Sequence, residues 1–262
     1  MKLVQLTDNN YIKKLIPPNY TYQSGKLRQV NRDGLTLELD LSKVVDHHLF
    51  WESQLIELKY VVEYIKRART ILDIGGNIGG RALLFASLNP KARVVSFEPH
   101  PANFKRAQQN ISHNNYEIYL VKSGLGAKKE QLRMYEVNES NPGMNRIISG
   151  EHNYPFTIIE IDTLDSFCKQ LNLTDIDFVK IDVEGFAYQV MEGASDMIAR
   201  HKPVFLIELD DDDMRKNNHT ARQLIELLVK AGYTRFVHSD TFEMVDLNSD
   251  FEHCHFDIIA TA

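Results

Sequence analysis

One lysine and two acids alternate just after an apolar run, and their side chains are those that acid-base chemistry needs. Strand geometry places Lys180 and Asp182 on one face, with Asp182 at the carboxyl end of a strand near 176–181. Three roles are open for Asp182 and Glu184: general base for a hydroxyl, ligand of a divalent cation, or structural partner of Lys180 and helix cap. Because an unpaired buried lysine is costly, these opposite charges indicate more than packing.

A glycine-rich turn follows another apolar run and has the spacing of a nucleoside-cofactor site. Its pattern is Asp73-x-Gly75-x-Asn77-x-Gly79, which cannot be written as the Gly-x-Gly-x-x-Gly of dinucleotide folds. Asn77 tolerates the left-handed conformation better than other non-glycine residues, so the tight turn is preserved. Asp73 would repel a pyrophosphate, but it can accept a hydrogen bond from an ammonium group, directly or through water. The turn therefore predicts S-adenosylmethionine as the cofactor, bound at these four residues.

A second acid, Glu98, ends a strand about twenty residues after this turn. A carboxylate at that position can accept both hydroxyl protons of a cofactor ribose. The alternative is a solvated acid at a strand end, which would be the default interpretation if the turn were absent. At this spacing after the turn, we predict that Glu98 binds the ribose.

Four consecutive aspartates, residues 210–213, follow Glu208 at the end of a further apolar run. Such a run is typical of a solvated loop or of the first turn of a helix, where the helix dipole favours negative charge. A magnesium site built from Asp182, Glu208 and Asp210 is the alternative, because hard oxygen ligands suit that ion. A divalent metal is thus the less favoured cofactor, and we assign no metal ligands.

The composition is that of a globular protein with one large α/β domain and an appendage. The chain has 262 residues, of which 43% are hydrophobic and 25% charged, and its formal net charge is −6. This charge argues against a general affinity for the nucleic-acid backbone. The longest apolar runs have strand length, so no membrane span is predicted, and the N-terminus lacks the apolar core of a secretion signal. We therefore expect a cytoplasmic protein.

Apolar, β-rich runs alternate with helical stretches from about residue 71 onwards, which predicts a doubly wound, mostly parallel α/β sheet of seven strands. The predicted strands lie near 70–74, 93–97, 117–122, 176–181, 203–208, 233–238 and 254–260. The predicted helices lie near 79–88, 101–113, 185–199 and 219–231. Two more strand-like runs, 131–136 and 156–161, flank a loop at 138–154. They predict an inserted β-hairpin whose loop is long enough to cover a site.

Residues 1–60 differ from the rest and are predicted to form a small α+β appendage. Its strands alternate around an Asp33-Gly34 turn, and an amphipathic helix runs from 49 to 65 towards the core. Residues 61–262 would form the cofactor-binding domain. An appendage at this position can cover the acceptor pocket, where a stacking Trp51 would suit a sugar ring. The alternative for Trp51 is an interface between the appendage and the core.

Three segments together resemble the FkbM-type S-adenosylmethionine-dependent methyltransferases. They are residues 71–79, 96–104 and 177–185, and the Lys-Ile-Asp-Val-Glu-Gly run in the third is far more specific than the glycine turn. Residues 203–208 resemble the next strand of that family, so the similarity covers roughly residues 30–210 in order. It implies a class I methyltransferase (Rossmann-like) fold and methylation of oxygen on sugars or polyketide-like secondary metabolites.

The resemblance also implies roles for individual residues. It favours catalytic or substrate-positioning roles over capping alone, so we predict Asp182 as the general base, Glu184 as the substrate-positioning acid and Lys180 as part of the same catalytic set. It implies an adenine contact at Ser123, which follows the third strand of the sheet. One departure is Ala187, where the family usually has a second acid. If that acid contacts the substrate in relatives, this chain accepts a different acceptor.

The predicted function is therefore O-methylation of a small-molecule or glycan acceptor, with no nucleic-acid partner. Methylation of nitrogen or of a nucleic acid is one alternative. Base-directed amino methyltransferases commonly need an Asn- or Asp-Pro-Pro-aromatic motif, and Pro17-Pro18 lacks that context. A non-catalytic cofactor-binding scaffold is the other alternative, and the intact set of Lys180, Asp182 and Glu184 argues against it.

Overall fold

The computed structural model describes residues 16–53, 55 and 58–262; residues 1–15 of the predicted appendage and residues 54, 56 and 57 of its predicted helix lie outside the described residues. The strands are β1 (Leu27–Arg32), β2 (Leu35–Asp40), β3 (Thr70–Ile74), β4 (Arg93–Phe97), β5 (Ile118–Val121), β6 (Gly124–Leu125), β7 (Glu130–Tyr135), β8 (Arg146–Ile147), β9 (Phe156–Asp162), β10 (Ile176–Ile181), β11 (Val204–Asp210), β12 (Arg235–His238), β13 (Met244–Val245) and β14 (His255–Thr261). The helices are α1 (Val44–Trp51), α2 (Val62–Arg67), α3 (Gly80–Leu88), α4 (Pro101–Ser112), α5 (Leu164–Gln170), α6 (Ala187–Glu192), α7 (Ser195–His201), α8 (Asp211–Arg215) and α9 (Ala221–Lys230).

A central sheet of eight strands, counted over the described residues, has the order β13-β12-β14-β11-β10-β3-β4-β5. The strands from β11 to β5 are parallel, and β14 is antiparallel to both β11 and β12. All seven predicted strands lie in this sheet, which confirms the mostly parallel α/β class. The sheet has one strand more than predicted because Met244–Val245 pairs with β12 at the edge. Two residues are too few to produce a periodic signal.

Both faces of the central sheet are covered, and the strands are apolar for that reason. All five residues of β3 are buried. One apolar cluster contains Leu72 and Val179 with residues of α6, α7 and α9, and the other contains Ile71 and Phe178 with residues of α1, α2 and α3. Because successive strand residues point to opposite faces, each strand supplies both clusters. The buried strands hold the residues at their carboxyl ends in a fixed register.

The helices after β10 differ from the prediction. The single helix predicted at 185–199 is two helices, α6 and α7, separated by Gly193 and Ala194. A Cβ at Gly193 would lie 2.0 Å from the carbonyl oxygen of Gly126, so close packing against that backbone occurs where the helix is interrupted. Helix α5 is absent from the predicted set, although the Thr163 side chain caps it by accepting the N–H of Ser166 at 3.1 Å.

Residues 130–162, which we call the inserted arm, contain the predicted hairpin. Strands β7 and β9 pair antiparallel from Glu130↔Ile161 to Tyr135↔Phe156, which confirms the hairpin. It belongs to a larger unit, because β6 and β8 extend it to four strands in the order β6-β9-β7-β8 within the described residues. The predicted loop at 138–154 contains short regular elements, namely a 3₁₀ turn at Pro142–Met144 and strand β8.

The described part of the predicted appendage contains the expected hairpin. Strands β1 and β2 pair antiparallel around Asp33 and Gly34, whose φ angles are +50° and +80°. Leu37 and Leu39 of β2 are buried in the same cluster as Ile71 of β3, so the hairpin shares a core with the central sheet. A division of the chain at residue 60 stays a prediction.

The predicted continuous helix from 49 to 65 is wrong. Helix α1 ends at Trp51, and Glu52 is extended, with φ −109° and ψ 144°. Helix α2 begins at Val62. Apolar periodicity cannot separate two short helices that pack on one core from a single long one. Across the described ranges, no helix combines the length and apolar character needed to cross a membrane.

Candidate active site

A cavity of about 230 Å³ lies at the carboxyl ends of β3, β4 and β10. Ligands of open α/β sheets bind at this edge. The cavity wall includes most of the predicted site residues, namely Gly75, Asn77, Glu98, Ser123, Lys180, Asp182 and Glu184. Asp73 and Gly79 do not line it. The structure therefore brings residues from four separated chain segments to one place.

The glycine turn after β3 packs directly against the end of β10. Gly75 has a φ of +90°, and a Cβ on it would lie 1.8 Å from the carbonyl oxygen of Asp182. Asn77 has a φ of +48°, the left-handed conformation expected for it. Gly79, with φ +85°, precedes α3, and a Cβ there would lie 3.3 Å from the Cβ of Ala107 in α4. Gly79 thus permits helix packing, whereas Gly75 presents bare backbone to the cavity.

Asp73 is completely buried beside the turn. Its Oδ2 accepts a hydrogen bond from the Ser96 hydroxyl at 3.0 Å, while its Oδ1 has no partner among the described residues. Burial raises the pKa of Asp73, and the charge of Lys180 opposes this rise. Lys180 is the register neighbour of Asp73 on β10. A buried acceptor without a donor is rare, so this oxygen fits a hydrogen bond from a ligand ammonium or a bridging water.

Glu98 is held rigidly by backbone donors. Its Oε2 accepts the N–H of Asn77 and its Oε1 the N–H of His100, both at 2.8 Å. Burial raises the pKa of Glu98 to about 8 despite these hydrogen bonds. The Asn103 side chain also hydrogen-bonds to this carboxyl group, and the remaining acceptor capacity of the two oxygens faces the cavity, where a ribose hydroxyl could donate to it. Ser123 lies at the same end of the cavity, and its hydroxyl donates to the carbonyl oxygen of Gly124 at 2.9 Å.

Lys180 and Asp182 form an ion pair at the cavity wall. The Lys180 Nζ lies 2.8 Å from Asp182 Oδ2, and the two side chains are 6% and 42% exposed, respectively. Desolvation by the surrounding protein raises the pKa of Asp182, but the charge and hydrogen bond of Lys180, together with the charge of Arg81 and a hydrogen bond from Glu208, outweigh it, so the net pKa is lowered. Asp182 is therefore an ionised carboxylate facing the cavity. The buried lysine has a charged partner, as the cost of an unpaired buried charge requires.

Glu184 is held by a residue from the inserted arm. The Arg146 guanidinium donates to Glu184 Oε2 at 3.0 Å and also pairs with Asp213. Burial and the neighbouring Asp182 raise the pKa of Glu184 to about 8, although Arg146 acts in the opposite direction. Within the described residues, α6 has Phe186 as its N-cap and receives no side-chain cap. The structure thus offers no support for Glu184 as a helix cap.

The alternative magnesium site of Asp182, Glu208 and Asp210 does not form as proposed. Asp210 Oδ2 lies 2.9 Å from His255 Nδ1, and its Oδ1 caps α8 by accepting the N–H of Asp213 at 2.9 Å. Glu184 stands in its place: one oxygen each of Asp182, Glu184 and Glu208 lie within 4.8 Å of one another. The acidic run is the start of a helix, which confirms the favoured interpretation of residues 210–213.

Further charged residues of the site carry no motif in the sequence. Glu208 on β11 hydrogen-bonds to Asp182, and burial, together with the charges of Asp182 and Glu184, raises its pKa well above the usual value. Arg81, in the first turn of α3, lines the cavity and interacts electrostatically with Asp182 and Asp257. The apolar runs that precede Glu208 and Asp257 could identify their strands, but not the inward direction of these two side chains.

Two elements outside the central sheet also line the cavity. Val45, His48 and Leu49 of α1 line one side, and the inserted arm lines another. Trp51 does not line the cavity; its ring packs against Phe50, with ring centroids 4.9 Å apart. The structure thus gives no support for stacking of Trp51 on a ligand, and its place at an interface between appendage and core stays a prediction.

Comparisons with known proteins identify the kind of site. A family model described as Methyltransferase FkbM domain matches residues 73–235. The chain is 24% identical over 172 residues to 2-O-methyltransferase NoeI of Sinorhizobium fredii, covering 60% of this chain and 70% of NoeI. It is 23% identical over 141 residues to hexuronic acid methyltransferase AglP of Haloferax volcanii, covering 54% of this chain and 56% of AglP. The METTL16 methyltransferase domain superposes with a TM-score of 0.52 at 15% identity, covering 87% of this chain and 73% of that chain.

The matched region contains the glycine turn, Glu98 and the Lys180–Glu184 run, which are the parts of the cavity wall contributed by the central sheet. The similarity to METTL16 concerns the fold alone and agrees with the predicted class I architecture. The chain spans little more than half the length of AglP.

Proposed function

Because the chain belongs to the FkbM methyltransferase family and uses S-adenosylmethionine, we propose that it methylates a hydroxyl oxygen of a sugar or a related hydroxylated acceptor. The observation that carries the proposal is the ionised Asp182 carboxylate on the cavity wall, paired with Lys180 at 2.8 Å. The names of NoeI, a 2-O-methyltransferase, and AglP, a hexuronic acid methyltransferase, support this acceptor class.

The residues around the glycine turn fit the cofactor. S-adenosylmethionine supplies an electrophilic methyl group when bound. In this proposal the unpartnered Oδ1 of the buried Asp73 is linked to the ammonium through a bridging water, Glu98 accepts from the ribose hydroxyls, and Ser123 lies on the adenine side. Gly75 and Asn77 allow the backbone to approach, while Gly79 acts indirectly by letting α3 pack on α4.

Asp182 removes the proton from the acceptor hydroxyl in the proposed mechanism. Methyl transfer is an in-line displacement, so the protein must align the reacting atoms and remove that proton. Lys180 keeps Asp182 ionised and fixes its Oδ2, and Glu184 positions the acceptor by a hydrogen bond to a neighbouring hydroxyl. Helix α1 of the proposed 1–60 appendage and the inserted arm of the 61–262 domain exclude water from above.

The proposal is tested by measuring transfer of an isotope-labelled methyl group to a panel of acceptors. The panel contains methyl pyranosides, hexuronic acids, phenols, amino sugars and RNA. We expect label in the sugar hydroxyl fraction, with the product sensitive to chemistry that distinguishes O-methyl from N-methyl groups. Label that appears only in nitrogen or RNA would contradict the proposed acceptor class. No transfer despite tight binding of S-adenosylhomocysteine would favour a non-catalytic scaffold.

Cofactor affinity should depend on pH through Glu98. A raised pKa of about 8 means that Glu98 is mostly protonated near pH 7 and ionised near pH 9, and only the ionised form accepts both ribose hydroxyls. We therefore expect the Kd of S-adenosylhomocysteine, measured by titration calorimetry, to fall by about tenfold over that interval.

The matched control for this pH dependence is Glu98→Gln. The variant keeps the shape of the side chain but cannot ionise. Its Kd for S-adenosylhomocysteine should therefore be higher at high pH, and the change of Kd with pH should lack the contribution of Glu98. The ligand amino group titrates in both proteins and cancels from the comparison. An equal change of Kd with pH in the two proteins would show that ionisation of Glu98 does not affect binding of the ribose.

Chelation should leave methyl transfer unchanged. Lys180 on Asp182 and Arg146 on Glu184 already provide positive charge at the carboxylates that a cation would bridge. We expect kcat after exhaustive dialysis against EDTA to stay within about twofold of its starting value, because the proton can be removed without a Lewis acid. Loss of activity that is restored by adding magnesium would assign a metal to Asp182, Glu184 and Glu208.

A further inference from the structure

The inserted arm forms one whole wall of the cavity. Its lining residues include Met134, Asn141, Pro142, Gly143, Asn145 and Ile147. The proposed cofactor contacts come from the turn after β3 and from the ends of β4 and β5. The arm reaches the carboxylates through Arg146, which pairs with Glu184, and it also borders the glycine turn, because a Cβ on Gly143 would lie 3.2 Å from Asn77 Nδ2. An acceptor must lie near Asp182 for its hydroxyl to be deprotonated.

Arg146 anchors the arm at the carboxylates. Its side chain is only 7% exposed and makes ion pairs with Glu184, at 3.0 Å, and with Asp213, itself 5% exposed. A buried arginine is costly to separate from its acid partners, since its own charge would be left unpaired. The guanidinium thus fixes the arm and the Glu184 carboxylate in one arrangement.

A second anchor joins the arm to α1. The carbonyl oxygen of Ser140 accepts the N–H of Val44 at 2.9 Å, and the carbonyl oxygen of Glu139 accepts a hydrogen bond from Lys43 Nζ at 2.6 Å. Gly143 lies so near α1 that a Cβ on it would be 2.6 Å from Val45 Cγ2. The segment between the two anchors, Asn141 to Ile147, is therefore held at both ends against the cavity.

Asn141 has an unused acceptor in this segment. Its backbone is paired on both sides, because its N–H donates to Asn138 and its carbonyl oxygen accepts from Met144, each at 3.0 Å. Its side-chain Oδ1 is buried and has no partner among the described residues, and the residue lines the cavity. Leaving a buried amide oxygen without a donor costs free energy that a ligand hydroxyl can recover.

We propose that residues 141–147 form the acceptor-recognition segment of this enzyme. Asn141 Oδ1 accepts a hydrogen bond from a second hydroxyl of a pyranose-like acceptor. Arg146 is the positioning residue that holds the segment and Glu184 in place. The inference rests on the proposed function and adds the residues that read the acceptor. A ring with several hydroxyls matches a cavity lined by an amide oxygen and by the carboxyl groups of Asp182 and Glu184.

The test uses the full-length protein saturated with S-adenosylhomocysteine and a panel of methyl pyranosides as probes. Saturation-transfer NMR measures sugar binding, and titration calorimetry measures binding of S-adenosylhomocysteine. We expect at least one pyranoside to bind the unaltered protein. Asn141→Ala should weaken that sugar by about tenfold while leaving the Kd of S-adenosylhomocysteine within about twofold.

Arg146 is tested with a pair of variants and a control. Arg146→Gln should weaken the sugar and increase hydrogen exchange of backbone amides in residues 138–147, and Arg146→Lys should restore part of both. Arg133→Gln is the control, because Arg133 lies on the same arm but pairs at the surface with Glu151, at 3.2 Å. It should change neither readout.

Each outcome decides between the inference and the function on which it rests. If S-adenosylhomocysteine does not bind, the proposed function fails. If it binds but no pyranoside does, the recognition segment is overturned while methyl transfer to another acceptor stands. Unchanged sugar affinity in Asn141→Ala, or an equal loss of sugar and S-adenosylhomocysteine binding, also overturns it, the second because Asn141 would then serve the cofactor.

Discussion

Replacing Asp182 with Asn should lower kcat by about 10²–10⁴-fold, the usual contribution of a general base. Asn keeps the size and planarity of the side chain but cannot accept the proton of a hydroxyl. The Kd of S-adenosylhomocysteine should stay within a few-fold, because the proposed cofactor contacts come from Asp73, Glu98 and the glycine turn. Full retained activity would remove Asp182 from the mechanism.

The matched control is Asp177→Asn on the same strand. Asp177 also forms an ion pair, with Arg69 at 3.0 Å, but it lies at the amino end of β10, away from the cavity. Its loss should leave kcat within about twofold and reduce stability by about 1 kcal/mol or less, as for other solvent-accessible pairs. Urea unfolding of both variants separates the chemical effect from the cost of leaving Lys180 without its partner. A similar fall in kcat in both would indicate a structural effect.

The residues that the sequence could predict are those controlled by short-range order. Asp73 and Lys180 lie at fixed places in apolar runs, and the runs form neighbouring strands in which these two residues are register partners. Gly75 and Asn77 follow within one turn, and their positive φ angles are those that their residue types predict. The spacing of residues along two strands and one turn is therefore enough to predict these four residues of the site without any long-range contact.

The residues that the sequence could not predict reach the site from other elements. Arg146 comes from a two-residue strand in a segment with no apolar periodicity, so nothing local marks it as buried. Glu208 lies two residues from the end of β11; the sequence grouped it with Asp182 only in the alternative magnesium site, and the order of strands is what places the two side by side. The break of the predicted 49–65 helix has the same origin, since packing on the sheet decides where α1 ends and where α2 begins. Tertiary contacts, and not local preferences, decide these features.

The charges of the site explain why neighbouring carboxyl groups can differ in protonation. Asp182 has a lowered pKa because Lys180 outweighs its desolvation, whereas the pKa of Glu184 is raised to about 8 by burial and by Asp182. The pKa of Glu208 is raised by burial in the same way. Such a separation gives one ionised acceptor among partly protonated neighbours, which is the arrangement that a single proton transfer needs.

Replacing Gly75 with Ala should destabilise the protein by about 3 kcal/mol or more and abolish cofactor binding. The new Cβ would lie 1.8 Å from the carbonyl oxygen of Asp182, and neither backbone can yield without moving the turn or the end of β10. Gly150→Ala is the matched control: its φ is +91° against +90° for Gly75, yet a Cβ there meets nothing described within 4 Å. It should carry only the conformational cost, about 1–2 kcal/mol, and keep the Kd of S-adenosylhomocysteine. Urea unfolding and calorimetry check both; equal losses of stability would mean that backbone conformation alone, and not close packing of the turn on Asp182, requires glycine at position 75.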